Sequence, residues 1–281
     1  MTRPRLFVLV TLTMLAFAGN SLLCRAALHG TAIDAATFTS VRLVSGAFAL
    51  WLIVYLRGAS RLQGSWASAT ALVVYAIAFS FAYVVLPAAT GALLLFGAVQ
   101  ATMIGWGLSR GERLRPLQVL GLSLAVCGLI GLLLPGLSAP PTLPSLLMLT
   151  AGAAWGAYSL LGKGGRGDPL AATAGNFVRA APVALVLSSV SFYTISADTA
   201  GILYALASGV ITSGIGYAIW YTALPHLKAT QAGIVQLSVP VIAALGGVLL
   251  LGETLTLRLA LAAIAILGGI ALVIVERRAP R

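Results

Sequence analysis

The chain alternates long apolar runs with short polar breaks, and the runs have the length of membrane-spanning helices. About 20 consecutive apolar residues are enough to cross a hydrocarbon core of about 30 Å. Charges, Gly/Pro clusters and polar turns separate ten candidate spans. The spans cover residues 6–27, 35–56, 68–86, 88–108, 117–136, 144–163, 169–192, 199–224, 229–251 and 258–276. This pattern predicts an all-α integral membrane protein with about ten transmembrane helices.

Several span ends carry residues that favour helix boundaries. Asp34 and Asp168 stand where an N-cap carboxylate accepts backbone N–H bonds, and Pro169 suits the first helical position. The boundary between the third and fourth spans depends on Pro87 and its neighbours alone. A nine-helix chain, with these two spans fused, is therefore the alternative to ten.

Composition and charge favour a membrane protein and disfavour nucleic-acid binding. The chain is 60% hydrophobic and 8% charged, whereas soluble proteins carry about 25% charged residues. Its net charge of +11 comes from Lys and Arg residues scattered in ones to threes between apolar runs. Such charges act as topology signals, so the expected partners are the lipid bilayer and a small-molecule solute, with no nucleic acid. The oligomeric state stays open, a monomer being the simplest form.

The positive residues also predict how the chain is oriented. With ten spans both termini lie on one side, where thirteen Lys and Arg residues collect. They are Arg3, Arg5, Arg57, Arg61, Arg110, Arg113, Arg115, Lys163, Arg166, Lys228, Arg277, Arg278 and Arg281. The opposite loops hold Arg25 and Arg258. Because cytoplasmic loops carry such an excess, we expect a multi-pass protein of the inner (plasma) membrane with both termini in the cytoplasm.

Four short matches recur in the same order in both halves of the chain. They pair Ser21–Arg25 with Ser159–Lys163, Arg42 with Arg179, Tyr83–Pro87 with Tyr221–Pro225, and Gly111–Leu114 with Gly252–Leu255. Five spans per half is an odd number, so the second half lies inverted relative to the first. We expect two inverted five-helix repeats, 1–138 and 139–281, with a solute site at their interface near the midplane.

These features resemble the drug/metabolite transporter superfamily in its paired EamA-type form. The resemblance covers the whole chain through its two five-helix halves, the Gly-Glu pairs at Gly111 and Gly252, and Arg42 with Arg179. Within the superfamily the chain is most similar to aromatic amino-acid exporters. The resemblance implies export or exchange of amino acids and other small metabolites. It also implies that spans one to four and six to nine line a central cavity.

Aromatic and polar residues within the spans are the candidates for a solute site. Tyr75, Phe79 and Tyr83 form a stripe with helical spacing, and Tyr217 and Tyr221 are the repeat equivalents of the last two. The other candidates are Asn20, Gln100, Trp155, Tyr158 and Gln236. Helix packing and interhelical hydrogen bonds explain each residue singly, whereas the set as a whole fits a pocket for a small amphipathic solute.

Arg42 and Arg179 lie inside apolar spans, where charged groups are rare and often functional. At a rise of about 1.5 Å per residue they lie roughly 10 and 15 Å from the starts of their spans. Each either attracts a substrate carboxylate or braces the bundle by binding backbone carbonyls.

No other candidate chemistry emerges from the spans. All six acidic residues fall at span ends or in loops, so the carboxylate on which proton-driven export normally depends is missing, and we expect facilitated export or solute exchange. Cys24 and Cys127 are expected to be buried, unreactive thiols. No cofactor, metal or enzymatic activity is expected, because HExxH and paired Asp patterns are absent from the spans.

The sequence therefore predicts a transporter that exports small organic solutes, with aromatic amino acids or related metabolites favoured, by alternating access through a central cavity. A broad drug/metabolite efflux carrier is the first alternative. A non-transporting membrane scaffold or receptor is the second, and the repeat symmetry disfavours it.

The predicted orientation is testable by labelling. Single cysteines placed near Ala139 and Arg281 should react with membrane-impermeant reagents from opposite sides, because an odd number of spans separates them. Labelling of both positions from the periplasm would overturn the orientation.

Overall fold

Helices make up the regular structure of the chain. A computed structural model describes residues 1–58, 62–111, 113–136, 139–163, 167–190, 195–227, 232 and 235–276, and within these ranges there is no strand. The helices are α1 (Arg3–Gly30), α2 (Ala35–Leu56), α3 (Trp66–Tyr83), α4 (Ala88–Ser109), α5 (Pro116–Leu133), α6 (Thr142–Lys163), α7 (Pro169–Val190), α8 (Thr199–His226), α9 (Ser238–Leu251) and α10 (Leu257–Glu276). Nine of these described helices are long and apolar enough to cross a membrane, and α9 has 14 residues. The predicted all-α membrane fold is confirmed.

Helix ends follow the local signals in the sequence. The Asp34 side chain accepts hydrogen bonds from the backbone N–H groups of Ala36 and Thr37 at the start of α2. Asp168 accepts one from Leu170 in the same way at the start of α7. A turn ends α3 at Tyr83 before α4 begins, so these two helices are separate and not fused.

Some sequence positions used above lie outside the described residues. They are 191–192 in the predicted seventh span, 229–231 and 233–234 in the predicted ninth span, and Glu112 in the repeat match. For the orientation they are Arg61, Arg166, Lys228, Arg277, Arg278 and Arg281. Residues 137–138, at the expected boundary of the two repeats, also lie outside, so the division into 1–138 and 139–281 stays a prediction.

The contacts between helices are symmetric under exchange of the two halves. α2 packs against α7, α4 against α9 and α5 against α10. In each of these pairs, the two helices hold equivalent positions in the two halves. The contact of α3 with α6 has its counterpart in α8 with α1, and that of α4 with α6 in α9 with α1. This arrangement surrounds the bundle interior with helices from both halves.

The α5–α10 pair lies at the side of the bundle and leaves most of α5 exposed. Gly121 and Gly269 let the two backbones approach so closely that a side chain on either glycine would collide with the other helix. Among the described residues the opposite face of α5 is exposed, and Cys127 lies on it. The expectation of two buried thiols is therefore wrong for Cys127 and correct for Cys24.

One buried ion pair ties the ends of several helices together. Arg25 Nε donates to Glu253 Oε1 at 3.0 Å, and Glu253 Oε2 accepts the Ala88 N–H at 2.8 Å at the start of α4. Gly252 adopts φ +65° after α9, a conformation that favours glycine, and the turn brings Glu253 back onto the bundle. The sequence reading that put Arg25 in a loop is wrong, because α1 continues to Gly30 and buries it.

We expect Glu253→Gln to lower the free energy of unfolding by roughly 3 kcal/mol, because a buried ion then loses its counter-charge. The double variant Arg25→Met, Glu253→Met should regain part of that loss, since neither charge remains. Equilibrium unfolding in mixed micelles measures both. A double variant that is less stable than Glu253→Gln would contradict this account of the pair.

Candidate functional site

A small cavity lies in the bundle interior between the two halves. Ten residues from α1, α3, α4, α6 and α8 line it. They are Phe17, Asn20, Ser21, Tyr75, Phe79, Leu95, Phe96, Trp155, Thr212 and Tyr217. Its volume is about 20 Å³, which is room for about one water molecule. A solute larger than water does not fit in this conformation, so its binding requires the lining side chains to move apart.

Aromatic rings form most of the wall, and Trp155 lies at their centre. Its ring centroid is 5.0 Å from that of Tyr217, 5.1 Å from Tyr75, 5.5 Å from Tyr158 and 6.1 Å from Phe17. The contact with Phe17 is edge-to-face, while Tyr158 stacks on the indole. These are the distances at which aromatic pairs attract one another. The cluster joins α1, α3, α6 and α8 around one indole ring.

Asn20 organises the polar side of the cavity. Its Oδ1 accepts hydrogen bonds from the hydroxyls of Ser208 at 2.7 Å and Thr212 at 3.1 Å. Its Nδ2 donates to the Tyr75 hydroxyl at 3.1 Å. The Thr212 hydroxyl carries one proton and also has the Ser208 carbonyl as an acceptor at 2.8 Å, so the Ser208 hydroxyl is the stronger donor to Oδ1 and orients the amide.

The partners of Asn20 on α8 lie in an irregular segment of that helix. Ser208–Ile215 forms a π-helix, a form that is rare and frequent at functional sites. Gly209 in this segment packs on α2, where an added methyl group would meet the Ser45 hydroxyl and the Arg42 carbonyl. The close crossing brings Ser213 within 3.3 Å of the Arg42 side chain.

Arg42 lies directly behind the aromatic wall and is 1% exposed. Its guanidinium carbon lies 5.2 Å from the Tyr75 ring centroid and 5.0 Å from that of Phe79. Nη2 donates to the Tyr75 hydroxyl at 3.1 Å and Nε to the Ser213 hydroxyl at 3.3 Å. Nη1 is fully buried and has no hydrogen-bond partner among the described residues.

Five of the residues expected at a solute site line the cavity: Asn20, Tyr75, Phe79, Trp155 and Tyr217. Two more expected residues, Tyr83 and Tyr158, contact lining residues without lining the cavity themselves. Tyr83 packs edge-on against Phe79 and donates to the Ala88 carbonyl at 3.3 Å. Tyr158 stacks on Trp155 and accepts from Asn176 Nδ2 at 3.3 Å.

The remaining candidates do not line the cavity. Gln100 is buried on α4, about one turn beyond the lining residue Phe96. Tyr221 is half-buried near the end of α8, and Gln236 donates to the Ala232 carbonyl at 3.3 Å. Arg179 Nη1 donates to the Gln63 and Gly175 carbonyls, each at 2.8 Å, so its contacts favour the bracing role.

Sequence reasoning missed Phe17 and Ser213, although the repeat contains a signal for both. Tyr83 and Tyr221 differ by 138 positions, and the same offset relates Phe17 to Trp155 and Tyr75 to Ser213. Phe17 contacts its own equivalent, Trp155, and Tyr75 and Ser213 both accept a hydrogen bond from Arg42. Applying the repeat offset to Trp155 and Tyr75 identifies these two residues.

Comparison with known proteins relates the chain to one family and one fold. Residues 142–275 match the EamA-like transporter family. The uncharacterized protein PA1977 of Pseudomonas aeruginosa is 58% identical over 275 residues, covering 97% of this chain and 96% of that protein. A protein of known crystal structure aligns over 99% of both chains with a TM-score of 0.67 and 18% identity, which is a likeness of fold.

The close crossing of α2 and α8 predicts a specific sensitivity. Gly209→Ala should destabilise the protein by about 1–3 kcal/mol, the usual effect of overpacking, because the added methyl group meets the Arg42 carbonyl. Gly268→Ala on α10 is the matched control, since nothing lies within 4 Å of the added group. Thermal unfolding in detergent measures both. Equal stability of the two variants would contradict the crossing described here.

Proposed function

The chain belongs to the EamA-like transporter family through residues 142–275, and from this premise we propose that it exports small organic solutes, favouring aromatic amino acids, by alternating access. The observation that carries this proposal is the aromatic cavity with its polar network between the halves. Such a combination suits a small solute with an aromatic ring and a few polar groups. Transporters with inverted repeats bind their solutes at this place in the fold.

The proposed cycle opens the cavity to one side of the membrane at a time. The Arg25–Glu253 pair closes the bundle at the end where α1 and α3 finish and α4 begins. Tyr83 at this end is 0% exposed, whereas its repeat equivalent Tyr221 at the other end is half-buried. This difference supports a state that is held shut at the Arg25 end. With cytoplasmic termini in the inner membrane, that end is periplasmic.

Solute exchange is the proposed energetic mode. The Glu253 side chain is largely buried and pairs with Arg25 near the end of the bundle. Among the described residues, therefore, no unpaired carboxylate lies beside the cavity. A proton-coupled carrier normally exchanges its proton on such a group. Export down the solute gradient, or exchange of one solute for another, needs no titrating side chain.

The test is counterflow in proteoliposomes preloaded with unlabelled phenylalanine. The purified protein should accumulate labelled phenylalanine without an imposed pH gradient. Trp155→Ala should reduce the initial rate about tenfold, which corresponds to roughly 1.4 kcal/mol of lost aromatic contacts. Trp66→Ala is the control, because Trp66 is 66% exposed at the start of α3 and lies away from the cavity.

Different failures separate the alternatives. Counterflow of cationic drugs with none of phenylalanine would favour a broad efflux carrier, and no flux of any solute class would favour a scaffold or receptor. A larger loss in Trp66→Ala than in Trp155→Ala would refute the cavity as the path. Uphill accumulation that disappears when a pH gradient is collapsed would refute exchange.

A further inference from the structure

We propose that Arg42 binds the carboxylate of the solute end-on through Nη1 and Nη2, and that the Tyr75 hydroxyl occupies the position of one carboxylate oxygen in the present conformation. This inference rests on the proposed transport function, because it names the chemical class of the solute. It makes the solute an aromatic carboxylate, with or without an amino group. The corresponding amines and amides are excluded.

Arg42 is a buried cation with no counter-charge among the residues that the structure describes. The ion pair within the described residues joins Arg25 and Glu253, and the contacts of Arg42 are with hydroxyl groups and aromatic faces. Removing a guanidinium from water costs several kcal/mol, and neutral partners recover only part of it. Charged groups held within the membrane are typically counter-ions for ligands or parts of a transport path.

Three other arginines show what a bracing guanidinium does in this protein. Arg25 Nη1 donates to the Tyr83 and Val84 carbonyls, Arg179 to two backbone carbonyls, and Arg258 to the Gly131 and Leu134 carbonyls. Arg42 donates to no backbone carbonyl in the described contacts and leaves Nη1 without a partner. Its surroundings therefore differ from those of a brace.

The donors around Arg42 match one carboxylate. An arginine fork binds a carboxylate with two parallel N–H···O bonds, one from each terminal nitrogen. Nη1 is free, while Nη2 holds the Tyr75 hydroxyl oxygen, which also accepts from Asn20 Nδ2 at 3.1 Å. Two nitrogen donors thus already converge on one neutral oxygen. A carboxylate oxygen is the stronger acceptor for both, and its second oxygen would satisfy Nη1.

The position of the site also explains why its solute is aromatic. Tyr75 and Phe79 separate Arg42 from the cavity, and both rings belong to its lining. When Tyr75 swings aside, the guanidinium faces the space bordered by Trp155 and Tyr217. A carboxylate on Arg42 then places the ring of a phenylalanine-sized solute among these aromatic side chains. A cavity of about 20 Å³ cannot hold that ring until Tyr75 moves.

The experiment compares matched solutes for their ability to raise the thermal unfolding temperature of the whole protein in detergent. Phenylalanine and 3-phenylpropionate should both stabilise it, because each carries the carboxylate. Phenylalaninamide and phenethylamine should give no stabilisation at tenfold higher concentration. Equal stabilisation by the amide would overturn the proposal, and so would equal stabilisation by chloride at the same concentration as phenylalanine.

Two variants separate ligand binding from bracing. Arg42→Met should abolish the preference for phenylalanine over its amide. Tyr75→Phe removes the internal oxygen that competes for Nη2 and Asn20, so phenylalanine should bind about tenfold more tightly, as expected for hydrogen bonds to a charged group. A bracing role predicts the reverse, namely weaker binding in Tyr75→Phe. Arg110→Met, at the exposed end of α4, should leave binding unchanged.

Binding in detergent is independent of flux, so the two proposals can fail separately. Carboxylate-dependent stabilisation without counterflow would refute transport and keep the Arg42 site. Counterflow of phenylalaninamide as fast as that of phenylalanine would keep transport and refute the Arg42 site.

Discussion

The structure depends on hydrogen-bond and ion-pair partners for the arginine side chains that lie within membrane-spanning helices. Three arginines that lie within helices meet this constraint differently: Arg25 pairs with Glu253, Arg179 binds backbone carbonyls, and Arg42 relies on hydroxyls and aromatic faces. The last solution requires α8 to approach α2 closely, which Gly209 permits, and to present Ser213 from a π-helical segment. The irregular segment, the glycine crossing and the aromatic wall therefore belong to one arrangement around Arg42.

Most of the fold was predictable because lipid leaves few choices. Backbone polar groups in hydrocarbon must be satisfied within a helix, so apolar runs of membrane length have one structural outcome. The exceptions concern positions where tertiary contacts decide. Arg25 resembled a loop residue until Glu253, 228 positions away, made its burial possible. Cys127 lies in an apolar run like Cys24, and only the packing of α5 decides which thiol is exposed.

The sequence predicted which types of residue form the site better than it predicted which individual residues line the cavity. Helical spacing identified Tyr75 and Phe79, yet the same stripe continues to Tyr83, where the helix has passed the cavity and the hydroxyl meets a carbonyl. Gln100 and Tyr221 have suitable chemistry and depth, but they lie outside the lining. Depth along a helix follows from sequence, whereas the direction of a side chain relative to a neighbouring helix depends on how the helices cross.

The strength of the contacts around the small cavity affects how easily a carrier releases its solute. Aromatic pairs contribute about 0.5–1.5 kcal/mol each, so the contacts of Trp155 with its four aromatic neighbours stabilise the small cavity of this conformation with a modest energy. Under the proposed binding mode, a solute ring replaces these contacts with similar ones, and its carboxylate replaces the Tyr75 hydroxyl oxygen on Arg42. The carboxylate must displace the Tyr75 hydroxyl from Arg42, so under this proposal the net gain on binding is smaller than the full strength of the charged contact. A carrier that works by exchange needs that limit, because a site that held its solute far more strongly than its own side chains would not let it go.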